Sequence, residues 1–137
     1  MSWIHNMKIL VTGAAGFIGR NLVFRLKEAG YNELITIDRN SSLADLEKGL
    51  KQADFIFHLA GVNRPVKESE FQEGNSNLTQ QIVDILKKNN KDTPIMLSSS
   101  IQAECDNAYG KSKAAAEKII QQYGETTNAK YYIYRLP

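Results

Sequence analysis

The sequence predicts an α/β domain: a doubly wound parallel sheet of about five strands with helices on both faces. Three observations carry that prediction. Short apolar runs of strand length alternate with longer segments whose apolar residues recur at helical spacing. The run "DFIFHLAG" (Asp54–Gly61) is apolar on both faces, as a strand buried in a parallel sheet must be. The first strand also runs straight into a glycine-rich turn that opens a helix, the junction of a βαβ unit.

Taken in order, "MKILVT" (Met7–Thr12) is the first strand, and Ile18, Leu22, Leu26 and Ala29 mark the helix after it, with Gly30 as its stop. "LITID" (Leu34–Asp38) is the second strand. Ser41 or Ser42 then caps a short helix carrying Leu43, Leu46 and Leu50 on one face. After the third strand, residues 62–74 read as an open loop, and Leu78, Ile82 and Ile85 align on the next helix. "PIMLSSS" (Pro94–Ser100) is the fourth strand. An alanine-rich helix runs from Tyr109 to about Tyr123, and "KYYIYRL" (Lys130–Leu136) is the fifth strand, with Tyr131, Tyr132 and Tyr134 expected to alternate as packing residues.

Composition narrows the function. At 137 residues the chain is expected to be one domain spanning residues 7–137, with residues 1–6 a short extension ahead of Met7. No apolar run approaches the ~20 residues that cross a bilayer, so no membrane role is expected. The net charge of +2 is spread along the chain, and "LKKNNK" (Leu86–Lys91) reads as a solvated helix end, so no nucleic-acid partner is expected. A single cysteine, Cys105, forms no internal disulfide, which makes a reducing cytoplasm the expected compartment. Two histidines and one cysteine, widely spaced, give no metal-ligand pattern. His58, inside a buried-type strand, reads as a packed core histidine.

The glycine turn is "TGAAGFIG" (Thr12–Gly19). A dinucleotide pyrophosphate needs backbone N–H groups and the positive end of a helix dipole, with no side chain in the way. Gly13 makes the tight turn, Ala15 and Gly16 let the backbone approach the phosphates, and Gly19 packs the helix on the strand. Phe17 and Ile18 supply the N–H donors. Asp38 ends the second strand 19 residues past Gly19, where the Rossmann-type fingerprint expects an acid. Asp38 suits the ribose hydroxyls of NAD, whereas Arg39 suits the 2′-phosphate of NADP. The residues leave both open.

"YGKSK" (Tyr109–Lys113) places a phenol and an ammonium one helical turn apart, at the edge of the sheet where ligands of such folds sit. Reduction of a ketone needs a proton donor at the developing alkoxide. A free phenol is a weak acid, with a pKa near about 10, and an ammonium beside it favours its ionisation. Tyr109 therefore reads as the proton relay, Lys113 as its tuner and a hold on the nicotinamide ribose, and a serine hydroxyl as the group that orients the carbonyl.

"TGAAGFIG", "DFIFHLAG", "LSSS" and "YGKSK", in this order, resemble the extended short-chain dehydrogenase/reductase superfamily of sugar-nucleotide epimerases, dehydratases and reductases. The resemblance runs from Met7 to Pro137. It implies Ser100 as the catalytic hydroxyl beside Tyr109 and Lys113. It also implies Leu59, Ala60 and Gly61 as a strand end lining the cofactor, and Asn75 as the asparagine that opens the next helix. "HLAGVNRP", "LSSSIQAECDNAYGKSK" and "YIYRLP" are similar to capsular-polysaccharide reductases within that superfamily. This implies a nucleotide-sugar substrate, a UDP-4-keto-6-deoxy-N-acetylhexosamine, and favours NADP(H), with NAD(H) as the alternative. It further implies a substrate-binding lobe and a zinc-binding cupin domain beyond Pro137. The chain departs from the superfamily in having one short helix, and no extra strand, between its second and third strands. The rival readings are an epimerase or dehydratase with the same triad and a non-catalytic dinucleotide-binding module. Ile101-Gln102 after Ser100, where dehydratases place Asp-Glu, argues against elimination. Arg64 is expected at the ligand edge with its role open, and a homo-oligomer is compatible with the sequence.

Overall fold

The structure is a computed structural model, described for residues 6–61 and 72–137. The expected extension and the position of Arg64 therefore lie essentially outside the described residues. Five parallel strands form one sheet: β1 (Lys8–Thr12), β2 (Glu33–Ile37), β3 (Phe55–His58), β4 (Ile95–Ser100) and β5 (Tyr131–Leu136), in the order β2-β1-β3-β4-β5. The helices are α1 (Phe17–Glu28), α2 (Leu43–Gln52), α3 (Leu78–Lys88) and α4 (Ala108–Thr127).

Strand order and handedness decide which helix lies on which face. From β1 the chain steps one way to β2, then reverses and crosses to β3, β4 and β5. Right-handed crossovers therefore put α1 on one face and α2, α3 and α4 on the other. The apolar clusters agree. Leu10, Ile56, Ile95 and Leu97 pack with Leu46, Leu50, Ile82, Leu86, Ile120 and Tyr123, while Ile9 and Val11 pack with Leu22, Val23 and Leu26 of α1. Each fully buried Leu or Ile side chain contributes about 1.5–3 kcal/mol. The reversal puts the switch point between β1 and β3, whose last residues, Thr12 and His58, are register partners.

Helix ends follow local chemistry. Ser42, rather than Ser41, caps α2 in a reciprocal box: its Oγ accepts from Asp45 N–H (3.0 Å) and the Asp45 carboxylate accepts from Ser42 N–H (2.9 Å). Asn107 Oδ1 accepts from Gly110 N–H (2.7 Å) to cap α4, which ends at Asn128 with φ +63°.

Three expectations need correction. β3 stops at His58 rather than Gly61, because the N–H groups of Leu59 and Ala60 both turn to the Thr12 hydroxyl, at 3.1 Å each. Gln72–Asn77, at the end of the expected loop, form a π-helical turn leading into α3. Tyr131, Tyr132 and Tyr134 do not pack as buried alternating residues; Tyr134 is 57% exposed. β5 is an edge strand, and α1, the one helix on its face among the described residues, packs on the part of the sheet around β1.

Candidate functional site

The carboxyl ends of β1, β3 and β4 bring most of the predicted residues to one edge. Gly13 has φ +68°, and a Cβ there would lie 2.7 Å from Ala60 N, so the turn needs glycine for both its conformation and its contact with the β3 end. At Gly16 a Cβ would meet only the Gly13 carbonyl, at 3.4 Å, leaving its outer side open to a ligand. At Gly19 a Cβ would collide with that same carbonyl, so the first turn of α1 sits tight on the loop. Gly16 is the N-cap of α1 and contributes no side-chain cap, unlike Ser42 and Asn107 on α2 and α4. The first-turn N–H groups, including Phe17 and Ile18, have no acceptor within their own helix. Ala15, Phe17 and Ile18 are all exposed at this turn. A helix N-terminus with no side-chain cap and an open glycine at its start fits a pyrophosphate.

Asp38 follows β2 on the same edge and is half-buried. One carboxylate oxygen accepts from Asn40 N–H (2.8 Å), and the Ser41 hydroxyl accepts from Asp38 N–H (3.0 Å). The turn thus fixes the carboxylate through Oδ1, leaving Oδ2 for a ligand. Arg39 beside it is exposed.

The tyrosine region is built from buried side chains. Lys113 is only 8% exposed, and its Nζ donates to the Ser98 carbonyl at 3.4 Å and stands 5.8 Å from the Tyr109 ring centroid. Burial lowers the Lys113 pKa, partly offset by the negative charge of Glu117. Gly61 is pressed into the same cluster, since a Cβ there would lie 2.7 Å from Asn75 Oδ1 and 2.9 Å from Lys113 Nζ. Tyr109 is half-buried on the first turn of α4.

The three serines divide their work. Ser98 gives its carbonyl to Lys113, Ser99 donates its hydroxyl to Glu117 (2.6 Å), and Ser100 Oγ accepts from Gln102 N–H (3.1 Å). Ser100 thereby caps the 3-10 turn Ile101–Glu104 that leads to Tyr109.

Sequence reasoning missed the support behind this cluster. Glu117, 6% exposed, lies one turn past Lys113 and takes two bonds from Arg135, each 2.9 Å. Burial pushes the Glu117 carboxyl up, but bonds from Arg135 and Ser99, with the charges of Arg135 and Lys113, hold it below its ordinary value. Arg135 also binds Glu104 (2.9 Å), tying the 3-10 turn to β5 and α4. The available signal was a carboxylate on the face of α4 that carries Ala116 and Ile120. Thr12 and Thr79 are the other supports that sequence reasoning missed, whereas Asn75, which the resemblance implied, donates from Nδ2 to Ser112 Oγ (2.9 Å). Cys105 is exposed, and the described residues contain no group of His, Cys, Asp or Glu suited to a metal ion.

Residues 9–137 match the NAD dependent epimerase/dehydratase family. The chain belongs to that family. It is 50% identical over 131 residues to a UDP-2-acetamido-2,6-beta-L-arabino-hexul-4-ose reductase of Pseudomonas aeruginosa, covering 96% of this chain and 35% of that protein. Among solved structures it is similar to the capsular polysaccharide assembling protein CapF of Staphylococcus aureus, with TM-score 0.82 and 44% identity over 96% of this chain and 36% of CapF. It is also similar to MoeE5 in complex with UDP-glucose and NAD, with TM-score 0.76 and 25% identity over 92% of this chain and 52% of that one. The chain therefore spans about a third of the first two relatives' length. Family and fold agree with the resemblance read from the four motifs. Among the described residues, no helix is long and apolar enough to cross a membrane.

Proposed function

We propose that this chain is the dinucleotide-binding and proton-transfer part of a reductase that acts on a UDP-4-keto-6-deoxy-N-acetylhexosamine in surface-polysaccharide biosynthesis. The observation that carries the reading is the buried Lys113 ammonium, set between Tyr109, Gly61 and the Ser98 carbonyl at the cofactor edge. Burying a lysine is costly, and a packing role would not need it. The 50% identity to a Pseudomonas reductase supports the substrate class.

In this reading Gly13, Ala15, Gly16, Phe17 and Ile18 hold the pyrophosphate, and Leu59, Ala60 and Gly61 line the dinucleotide. Asp38 and Arg39 face the adenosine ribose. When bound, the reduced nicotinamide supplies a hydride to the carbonyl carbon. Ser100 orients the carbonyl oxygen, and Tyr109 gives it a proton as the C=O double bond becomes a C–OH. Lys113 holds the nicotinamide ribose and stabilises the phenolate left behind until solvent returns the proton. Elimination chemistry is disfavoured, because Ile101-Gln102 follows Ser100 in place of the Asp-Glu that dehydratases of this resemblance carry.

Arg39, and the likeness to capsular reductases, favour NADP(H). Calorimetric titration of the 137-residue chain with each reduced cofactor tests this. NADPH is expected to bind at least as tightly as NADH. A tenfold or greater preference for NADH, about 1.4 kcal/mol, would overturn it. Turnover of sugar nucleotide by this chain alone should be small, since hydride transfer also needs the substrate held in line.

A further inference from the structure

A chain of buried hydrogen bonds runs under the site from β1 to α3, and its direction follows from the chemistry of its ends. A carbonyl only accepts, so the Thr79 hydroxyl donates to the Asn75 carbonyl at 2.5 Å. Toward His58 Nε2, 2.9 Å away, Thr79 Oγ1 is therefore the acceptor, and Nε2 carries the hydrogen. That leaves Nδ1 as the lone-pair nitrogen, so the Thr12 hydroxyl donates to it at 2.6 Å. Thr12 Oγ1 keeps its lone pairs for the N–H groups of Leu59 and Ala60, at 3.1 Å each. Every atom along this path has one consistent role.

Both ends of the path reach the site. Leu59 and Ala60 lie against Gly13 and lead into Gly61, and it is the Thr12 hydroxyl that pulls them out of the β3 ladder. At the other end, Asn75 binds Ser112, whose hydroxyl donates to the Tyr109 carbonyl (2.7 Å). His58 is fully buried, and burial together with the charge of Lys113 holds its pKa near about 3. Thr12 on β1 and Thr79 on α3 are the neutral groups bonded to its ring, and Lys113 on α4 is the charge acting on it.

We propose that His58, locked as the neutral Nε2–H tautomer, is a positioning residue for the dinucleotide site inferred above: its Nδ1 side sets Leu59–Gly61 against the glycine loop, and its Nε2 side sets Asn75 against Lys113. The two sides can be cut separately. In His58→Asn the amide oxygen replaces Nδ1 and the bond to Thr79 is lost. In His58→Gln the longer amide reaches Thr79 and the acceptor for Thr12 is lost.

The test combines nitrogen-15 NMR of the imidazole in the wild-type chain, from about pH 5 to pH 8, with NADPH titration of both variants and turnover in the full product of the gene. The imidazole is expected to keep hydrogen on Nε2 throughout. His58→Gln is expected to weaken NADPH binding by about tenfold, the upper worth of one neutral hydrogen bond. His58→Asn is expected to bind NADPH nearly as wild type while turnover falls. A ring that titrates in this range, or carries its hydrogen on Nδ1, would overturn the proposal even if neither variant folds. Parallel losses of affinity and turnover in both variants, tracking their melting temperatures, would reduce His58 to a packing residue. Wild-type binding retained with both variants unaffected would remove this inference alone, whereas a wild-type chain that binds neither dinucleotide would remove the functional reading as well.

Discussion

Between Thr12 and Gly19 the edge of the sheet is made of backbone, whereas between Ser98 and Glu117 it is made of buried side chains. The first region presents a positive-φ glycine and a helix start with no side-chain cap. The second buries an ammonium, a carboxylate and three serine hydroxyls, each of the charged groups bonded within the protein. The two regions should fail in opposite ways. A backbone site is lost when a side chain is added. A side-chain site is lost when a group is removed, because its partners stay buried and unpaired.

The largest effects should come from removing side chains of the second region. Stopped-flow NADPH oxidation with a UDP-4-keto sugar, in the full product of the gene, measures them. Tyr109→Phe is expected to lower turnover by about 10²–10⁴-fold, the worth of a positioned acid, with dinucleotide affinity nearly unchanged. Lys113→Ala should lower both, because the proposed function assigns the ammonium to the phenol and to the ribose. Normal turnover in Tyr109→Phe would make the phenol a packing residue and reduce the contrast between the regions to one of burial.

The first region is tested by adding a methyl group. Gly13→Ala puts a Cβ 2.7 Å from Ala60 N at φ +68°, and such backbone strain costs about 1–3 kcal/mol. Chemical denaturation should register that loss, with weakened dinucleotide binding. Gly16→Ala is the sharper variant. Its Cβ would make one contact at 3.4 Å, so stability should hold while affinity drops, the methyl standing where the proposed function puts the phosphates. If Gly16→Ala bound NADPH as tightly as wild type, the pyrophosphate would have to lie elsewhere.

The same contrast explains what was legible in the sequence. Glycine spacing is local, so the tight turn at Gly13 and the close packing at Gly19 were legible within eight residues of chain, Thr12–Gly19. Tyr109 and Lys113 were legible because both sit on one helix, a turn apart. The groups packed around them come from far away: Ser98, which accepts from Lys113, is 15 residues from it, and Ser99 is 18 residues from Glu117. No periodicity encodes such pairs. The end of β3 was misjudged for the same reason. Leu59 and Ala60 look like strand residues, and only the Thr12 hydroxyl diverts their N–H groups from the ladder. The tyrosines of β5 carry strand propensity but no information on whether a helix will cover them.

The smallest predicted effect links the regions, because His58 bonds Thr12 of the first and lies in the field of Lys113 of the second. Its folded pKa is lowered from 6.5 to about 3 by burial first and by the charge of Lys113 second. Below the unfolded value the unfolded chain takes up a proton that the folded chain refuses. Stability from this group is therefore complete above pH 6.5 and lost as pH falls toward about 3. The slope should be about 1.4 kcal/mol per pH unit over the part of that window where the imidazole alone decides. Glu117 contributes with the same sign but lower down, since its depressed carboxyl begins to lose stability only below the ordinary carboxylate range. Urea denaturation between about pH 7 and pH 5.5, comparing wild type with His58→Gln, reads the histidine together with its coupling to Lys113, because distant groups cancel in the difference. The variant is expected to be less stable at pH 7 and to lose less on acidification, so the two curves converge. Parallel curves would mean that the imidazole takes its proton in place, and the bond path from Thr12 to Asn75 would then open under mild acid instead of holding the two regions together.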